Sequence, residues 1–438
     1  MKYIKQLTLA SLSLFILLIP FNYTWSNIFL FLSVALTIID QKRNNKFSFQ
    51  VLRSEEKAFT TISIGYFLWC LISLIWCENN ERGLQLAGRY ILIAVFPLIF
   101  IIIKANGIIK KSKQLAYIFC LGCFVASFVC LTISFVNCWQ ETENGVVFST
   151  TRLEFGWQAD NPFLSLSQGY NNFSYKFISH FMHPSYYSLM LLWGIIFLLS
   201  EWHNLNVRKY KVLILLVSIY FIIFTLILQS RGNILASITV LFLFIAYKMF
   251  EKKKLVISSI LLCICVFLTF TLLKNSRLSW IISNTIDAFK TTNKEERIDK
   301  LEHNINDRII IWQNAFQVIK QHPILGVGIG DTDTELEKQY QKNGVDFTFG
   351  THNQYIYAQL SMGIIGSLLL LAMLFTPLYF GIKNRYFPLI GFSVAVMINL
   401  LFENMLTRNA GLMFIPWATM LLLMMSEEEK KKINYVAQ

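Results

Sequence analysis

Apolar stretches about as long as a membrane-spanning helix recur along the whole chain. A helix needs about 20 apolar residues to cross a hydrocarbon core of ~30 Å, and it satisfies its own backbone hydrogen bonds there. The sequence therefore predicts an all-α fold, a polytopic membrane helix bundle with about twelve transmembrane helices. The predicted stretches are 6–21, 25–41, 58–77, 86–104, 115–136, 184–200, 211–229, 232–250, 255–273, 354–380, 386–402 and 409–425.

The first apolar stretch follows Met1-Lys2-Tyr3-Ile4-Lys5 and in that respect is similar to a secretory signal peptide. No small-residue cleavage site follows Pro20, and the next apolar stretch begins almost at once. We therefore expect the first stretch to be retained as a helix of the bundle.

Composition agrees with a membrane protein, and the distribution of charge predicts its orientation. Charged residues make up 15% of the chain, against about a quarter in soluble domains. The net charge of +13 would allow nucleic-acid binding. However, more than half of the 39 Lys and Arg residues lie in the termini and connecting segments that fall on one side of the membrane. This is the positive-inside pattern. We predict no nucleic-acid partner, both termini in the cytoplasm, and the loops 137–183 and 274–353 on the outer side.

These predictions divide the chain into five parts. They are helices 1–5 in 1–136, an outer loop in 137–183, helices 6–9 in 184–273, a large outer loop in 274–353, and helices 10–12 with a cytoplasmic tail in 354–438.

The large loop is expected to carry structure of its own. Between Asp307 and Gln321 the apolar residues have the spacing of an amphipathic helix that lies along a membrane surface. His322-Pro323 ends this helix, and the glycines of 326–330 predict a tight turn. A second short helix is expected over 331–341.

Neither the cysteines nor the aspartates give a strong prediction of a metal site. Cys120-x-x-Cys123 has a metal or redox spacing but lies inside an apolar stretch without His or acidic neighbours, so the cysteines are expected to be small buried residues. We predict no disulfide framework, no metal and no cofactor. Asp331-x-Asp333 has no assigned role and leaves a metal-dependent variant open.

Two arginines are candidates for binding an anion. Arg231 lies between two apolar stretches, where a charge usually faces a cavity or a partner; a snorkelling arginine is the alternative. Arg308 lies near the start of the amphipathic helix, where free N–H groups and the helix dipole favour anions; a surface pair with Asp307 is the alternative. Together two guanidiniums suit a diphosphate, because each binds phosphate oxygens in a bidentate manner.

Two histidines and one glutamate are candidates for acid–base chemistry at the same side. His352 precedes an apolar stretch, and an imidazole titrates near neutral pH and can accept a proton from a sugar hydroxyl; the alternative is an ordinary interfacial histidine. His183 opens another stretch and is expected to line the same cavity. Glu403 is expected to orient an imidazole or bind an acceptor, unless it pairs with Arg408.

An ordered set of motifs resembles the O-antigen ligase and O-antigen polymerase superfamily, with the best match from about Tyr220 to Leu370. The motifs are Ser230-Arg231-Gly232, Arg308-x3-Trp312-x2-Ala315, Pro323-x2-Gly326-x-Gly328-x-Gly330, and His352-Asn353 followed by Gln359-x3-Gly363-Ile364-x-Gly366.

The resemblance implies a GT-C-like, metal-independent, inverting glycosyltransferase in a bacterial inner membrane with its active site on the periplasmic face. Such enzymes take a glycan from undecaprenyl diphosphate. Ligases pass it to lipid A–core, which we favour here, and polymerases pass it to a second lipid-linked glycan. By resemblance, Arg231 and Arg308 hold the diphosphate and His352 activates the acceptor hydroxyl. The further expected substrate-binding residues are His183, Glu403, Trp312 and Asn353.

Two other classes remain as alternatives. A transporter or flippase would show two similar halves and broken spans near the midplane, and the halves of this sequence do not match. A receptor or assembly scaffold without catalytic activity is the third class.

Overall fold

The computed structural model describes residues 2–43, 54–105, 112–143, 145–152, 165–166, 169–250, 303–345 and 348–436. The predicted stretch 255–273 and the first part of the predicted large loop lie outside the described residues.

Helices account for almost all of the regular structure in this part of the chain. The α-helices are α1 (Lys2–Leu18), α2 (Tyr23–Arg43), α3 (Ser54–Ile72), α4 (Asn80–Ala105), α5 (Ser112–Val136), α6 (Tyr175–Ile178), α7 (Pro184–Glu201), α8 (Arg208–Ile227), α9 (Arg231–Phe250), α10 (His303–Gln321), α11 (Thr332–Lys342), α12 (Gln354–Lys383), α13 (Phe387–Asn399) and α14 (Asn409–Val436). Short 3-10 helices cover Ser73–Trp76, Trp202–Asn204 and Met405–Thr407. Strands β1 (Trp139–Thr142) and β2 (Gly145–Phe148) form an antiparallel hairpin in the first predicted loop.

The predicted fold class is confirmed: the chain is an all-α polytopic membrane protein. Seven of the described helices are long and apolar enough to span a membrane, and the predicted count of about twelve is not confirmed. The seven spans are Tyr23–Arg43, Ser54–Trp76, Asn80–Lys104, Ser112–Val136, Arg208–Ile227, Gln354–Lys383 and Asn409–Ser426. Shorter apolar helices lie at Tyr3–Leu18, Arg231–Tyr247 and Phe387–Asn399.

Helices α7 and α14 lie at the centre of the bundle. Nearly every side chain of α7 is buried, whichever way it points, and the apolar part of α14 is buried almost as completely. A helix that is apolar all round has no polar face to expose, so it belongs in the interior. The indole rings of Trp193 in α7 and Trp417 in α14 pack 5.8 Å apart, and Phe119 of α5 contacts both.

One end of the bundle carries a cap, which we define as α10, α11 and the segment 322–331 that joins them. The cap has its own hydrophobic cluster, separate from the core of the bundle. The cluster contains Ile311, Ala315 and Val318 from α10, Val327, Leu336 and Tyr340 from the rest of the cap, and Ile356 and Leu360 from α12. The apolar face of the predicted amphipathic helix therefore packs in large part against protein, although Ile309 and Phe316 stay exposed.

Helix α12 is interrupted at Gly363, where the backbone turns to φ 64° and ψ −162°. This region of backbone conformation is essentially restricted to glycine. The segment 322–331 fills the interruption. Its Val327 and Gly328 N–H groups donate to Leu360 O and Ser361 O, each at 2.9 Å, and Ile364 N donates to Pro323 O at 3.2 Å. The glycines of this segment thus allow its backbone to replace the hydrogen bonds that α12 loses.

We predict that Gly363→Ala destabilises the protein by at least about 1–3 kcal/mol, the cost of a strained backbone conformation. An added Cβ would lie 2.1 Å from Ile324 O, so the cap would also have to shift. The control is Gly88→Ala in α4, where a Cβ meets nothing within 4 Å. Thermal unfolding in detergent should show a lower midpoint for Gly363→Ala only. Equal midpoints for the two variants would contradict the docking of the cap into α12.

Asp331 anchors the cap to the connection between α3 and α4. Its carboxylate accepts hydrogen bonds from Glu78 N at 2.6 Å and Asn79 N at 2.8 Å. Asp333 points elsewhere and pairs with Arg82 at 3.3 Å. The two aspartates thus have separate partners, and Asp331 acquires a structural role that its sequence context did not indicate.

Candidate functional site

His352 lies in the turn that leads into α12, at the end of the bundle that carries the cap. Its φ of 45° is unusual for a residue with a side chain, and such a conformation costs about 1–3 kcal/mol. The neighbouring residues hold this turn. Thr351 Oγ1 lies 3.1 Å from Asn353 O and from Asn404 Oδ1, and Asn353 Oδ1 caps α12 by accepting from Tyr355 N at 3.0 Å. These hydrogen bonds hold the backbone from which the imidazole projects.

Glu403 faces His352 from the connection between α13 and α14. Its Oε2 lies 3.5 Å from His352 Nδ1. This distance is long for a hydrogen bond and short enough for an ion pair, and such contacts often tighten when substrate binds. Among the described residues the partner of Glu403 is thus His352, and the alternative pair with Arg408 is not observed. The contact at Nδ1 leaves Nε2 of the ring available for another group.

The charges around Glu403 keep it ionised. Burial raises the pKa of Glu403, but its side-chain contact with His352 and its electrostatic interactions with His352, His183 and Arg308 outweigh this effect and hold the pKa below its usual value. Burial lowers the pKa of His183, although the charge of Glu403 opposes the shift. At neutral pH the site therefore combines an anionic Glu403 with an uncharged His183.

We predict that Glu403 makes stability depend on pH in the acid range. Its folded-state pKa lies below the ordinary value of 4.5, so its contribution is fully present above that pH and is lost as pH falls through the lowered folded value. Between about pH 5 and 3 the thermal midpoint should fall less steeply in Glu403→Gln than in the unmodified protein. Parallel curves for the two proteins would contradict the assignment.

Arg308 approaches the same carboxylate from the cap. Burial lowers the pKa of Arg308, and the charge of Glu403 opposes that shift. The guanidinium carbon lies 5.9 Å from the ring centroid of Phe402, the residue before Glu403. The sequence predicted that Arg308 lies near the start of this helix. Because α10 extends back to His303, Arg308 lies in its second turn instead. Anion binding at this position therefore depends on the guanidinium rather than on free N–H groups of the helix terminus.

Arg231 is the first residue of α9, and the helix begins against the same connection. A Cβ on the next residue, Gly232, would lie 3.1 Å from the ring of Phe402 and 3.2 Å from Asn399 Oδ1. Phe402 thus contacts the start of α9 and, with its ring, the guanidinium of Arg308. The two predicted anion-binding arginines lie on elements that meet at this one aromatic side chain.

A buried polar network holds the ends of three helices together beneath the site. Asn233 Nδ2 of α9 donates to Ser185 O of α7 at 2.8 Å. Asn399 Nδ2 of α13 donates to Asn233 Oδ1 at 3.1 Å. Buried polar groups are costly unless they are paired, so these bonds fix α7, α9 and α13 relative to one another. His183 caps α7 at this point, with its Nδ1 3.4 Å from Ser185 N.

Two predicted substrate-binding residues have structural partners. Trp312 Nε1 donates to Thr351 O at 2.9 Å and so connects α10 to the turn of His352. The side-chain oxygen of Asn353 is used in capping α12, as described above, and the residue is buried. Both residues position the site, and their contact with substrate stays a prediction.

Aromatic residues around His183 were not predicted from the sequence. Tyr175 and Tyr186 flank the imidazole in edge-on contacts, with ring centroids 6.4 and 6.2 Å away. Tyr175 has a positive φ of 49°, and its electrostatic interaction with Arg308 opposes the lowering of the Arg308 pKa by burial. Tyr186 lies three residues after His183, which the sequence does single out, whereas no sequence signal indicates Tyr175.

The fold and this site describe a polytopic membrane protein with a convergent group of cationic and acid–base side chains at one end of its bundle. Residues 213–371 match the family model described as O-antigen ligase. This segment contains Arg231, Arg308 and His352, and the match confirms the resemblance inferred from the motifs. It indicates a membrane glycosyltransferase-like role in O-antigen processing, with lipid-linked glycan and polysaccharide substrates.

A relative from Haemophilus influenzae is similar over most of the chain. The two sequences are 26% identical over 383 residues, which cover 84% of this chain and 82% of the relative. The relative is described only as an uncharacterized protein. The similarity therefore extends well beyond the matched family segment and adds no information about the reaction.

Proposed function

We propose that the protein transfers a glycan from undecaprenyl diphosphate to a hydroxyl of an acceptor sugar, with lipid A–core as the acceptor. The reaction takes place at the periplasmic face of a bacterial inner membrane, with both termini in the cytoplasm. The observation that carries the proposal is the His352–Glu403 contact of 3.5 Å beside Arg308. His352 and Arg308 both lie in the segment 213–371 that matches the family model.

His352 acts as the general base in this reaction. Its Nδ1 faces the Glu403 carboxylate, which favours a proton on that nitrogen and leaves Nε2 to accept the proton of the acceptor hydroxyl. As the proton moves, the ring becomes an imidazolium, and the adjacent carboxylate stabilises its charge. The fixed turn of His352 limits the directions from which an acceptor can approach.

Arg308 and Arg231 stabilise the leaving group. The acceptor oxygen attacks the anomeric carbon opposite the diphosphate, a new C–O bond forms, and the bond to the diphosphate oxygen breaks with inversion of configuration. The electron pair leaves with undecaprenyl diphosphate, whose growing negative charge the guanidiniums bind. A diphosphate is already a good leaving group, so preorganised positive charge supplies most of what the step requires.

Deletion of the gene tests this function in cells. We expect glycan to accumulate on undecaprenyl diphosphate as a ladder of lengths, with lipid A–core left unmodified. Single repeat units on lipid A–core would instead indicate a polymerase. Normal surface glycan would contradict both the ligase and the polymerase. Accumulation of the lipid-linked glycan on the cytoplasmic side would indicate a flippase.

A further inference from the structure

A polar cavity of about 300 Å³ lies beside the candidate site. The connection between α13 and α14 contributes to both. Its Phe402 and Glu403 contact the residues of the site, and its Asn404, Thr407 and Arg408 line the cavity. Gly350, two residues before His352, also lines it. A ligand in this cavity is therefore close to the turn that carries His352, whose imidazole is proposed as the base.

The other walls come from α4 and α11. Arg82 and Arg89 project from α4, and Asp333 and Glu337 project from α11. Arg82 pairs with Asp333 at 3.3 Å, whereas Arg89 Nη1 lies 3.5 Å from Thr407 O, at the limit of a hydrogen bond. The lining is thus rich in donors and acceptors that are not held tightly by each other.

The mixture of charges selects among ligands. A diphosphate accepts hydrogen bonds only, so it would use the arginines of the lining but not the carboxylates of Asp333 and Glu337. A sugar hydroxyl both donates and accepts, so it can use carboxylates and guanidiniums together. Phe349 in the wall is half exposed and offers an apolar face, which suits the C–H face of a sugar ring.

We propose that this cavity is a saccharide-binding subsite for the acceptor. It holds the part of the acceptor glycan that adjoins the sugar whose hydroxyl receives the transferred glycan. The inference rests on the proposed function, because it assigns one side of the transfer site to the acceptor. The donor then occupies the candidate site itself, where Arg308 and Arg231 bind its diphosphate. Binding in the cavity directs the acceptor hydroxyl toward Nε2 of His352.

Steady-state kinetics of the purified protein, with lipid A–core as acceptor and undecaprenyl-diphosphate-linked glycan as donor, test the subsite. In Glu337→Ala and in Arg89→Ala we expect the KM for lipid A–core to rise about tenfold, the effect of losing one hydrogen bond to a charged group. The donor KM and kcat should stay unchanged. Glu335→Ala is the matched control, since Glu335 lies on the same helix and pairs with Lys338 outside the cavity.

The outcomes separate the subsite from the function. If the unmodified protein transfers glycan and both variants keep the acceptor KM, or raise the donor KM instead, the subsite is wrong and the function stands. If the unmodified protein transfers nothing from this donor, the proposed function itself fails. Glu337 is exposed, so its replacement should not disturb folding. A rise in the acceptor KM alone could therefore not be explained by a loss of folded protein.

Discussion

His352→Ala should reduce the rate of glycan transfer by about 10²–10⁴-fold, the usual contribution of a positioned general base. The acceptor hydroxyl would then have to lose its proton to water, while donor binding by the arginines continues. The measurement is kcat with donor and acceptor both saturating. We expect little change in the KM of the donor, because the diphosphate contacts Arg308 and Arg231 rather than the imidazole.

His322→Ala is the matched control for this variant. His322 lies in the cap, and His352 lies beside the cap. The side chain of His322 is exposed at the end of α10 and lies outside the site. Its replacement should leave the rate unchanged. A rate in His352→Ala equal to that in His322→Ala, at equal protein levels, would remove His352 from the mechanism.

Arg308→Ala should reduce kcat by about 10²–10³-fold, the range found when one preorganised donor to a developing negative charge is removed. Arg308→Lys should recover only part of the loss, because an ammonium group cannot bind two phosphate oxygens in the planar manner of a guanidinium. Burial strengthens this dependence, since a charge in a site that excludes water interacts more strongly.

Lys320→Ala serves as the control for Arg308, since Lys320 is an exposed cation near the other end of the same helix. Full recovery by lysine would indicate that Arg308 supplies a charge without directed hydrogen bonds. An unchanged rate in Arg308→Ala would show that the diphosphate binds elsewhere.

The fold class could be predicted from hydropathy because the requirement to span lipid is recorded directly in the length of apolar stretches. Helix α10 and the glycine turn could also be predicted, since amphipathic spacing and glycine clusters are local signals. The interruption of α12 at Gly363 could not. Its cause is the approach of the segment 322–331, which precedes α12 in the sequence, and a glycine in an apolar stretch carries no trace of that contact.

The candidate site could be predicted as a set of residues but not as a set of contacts. Charge and hydropathy rules place His183, Arg231, Arg308, His352 and Glu403 on one side of the membrane, and in the structure they lie at one end of the bundle. The distance between His352 and Glu403 follows from how α12, α13 and α14 pack. For the same reason Glu403 had two possible partners in the sequence, and the anchoring role of Asp331 had no signal.

The central claim is that His352, Glu403 and the two arginines form a site that transfers glycan from a lipid diphosphate. The most direct test is release of undecaprenyl diphosphate by the purified protein, measured with donor and lipid A–core in the presence of a metal chelator. The account predicts one undecaprenyl diphosphate released for each glycan transferred, and almost none in the double variant His352→Ala, Arg308→Ala. Equal release by the double variant, or no release by the unmodified protein, would contradict it.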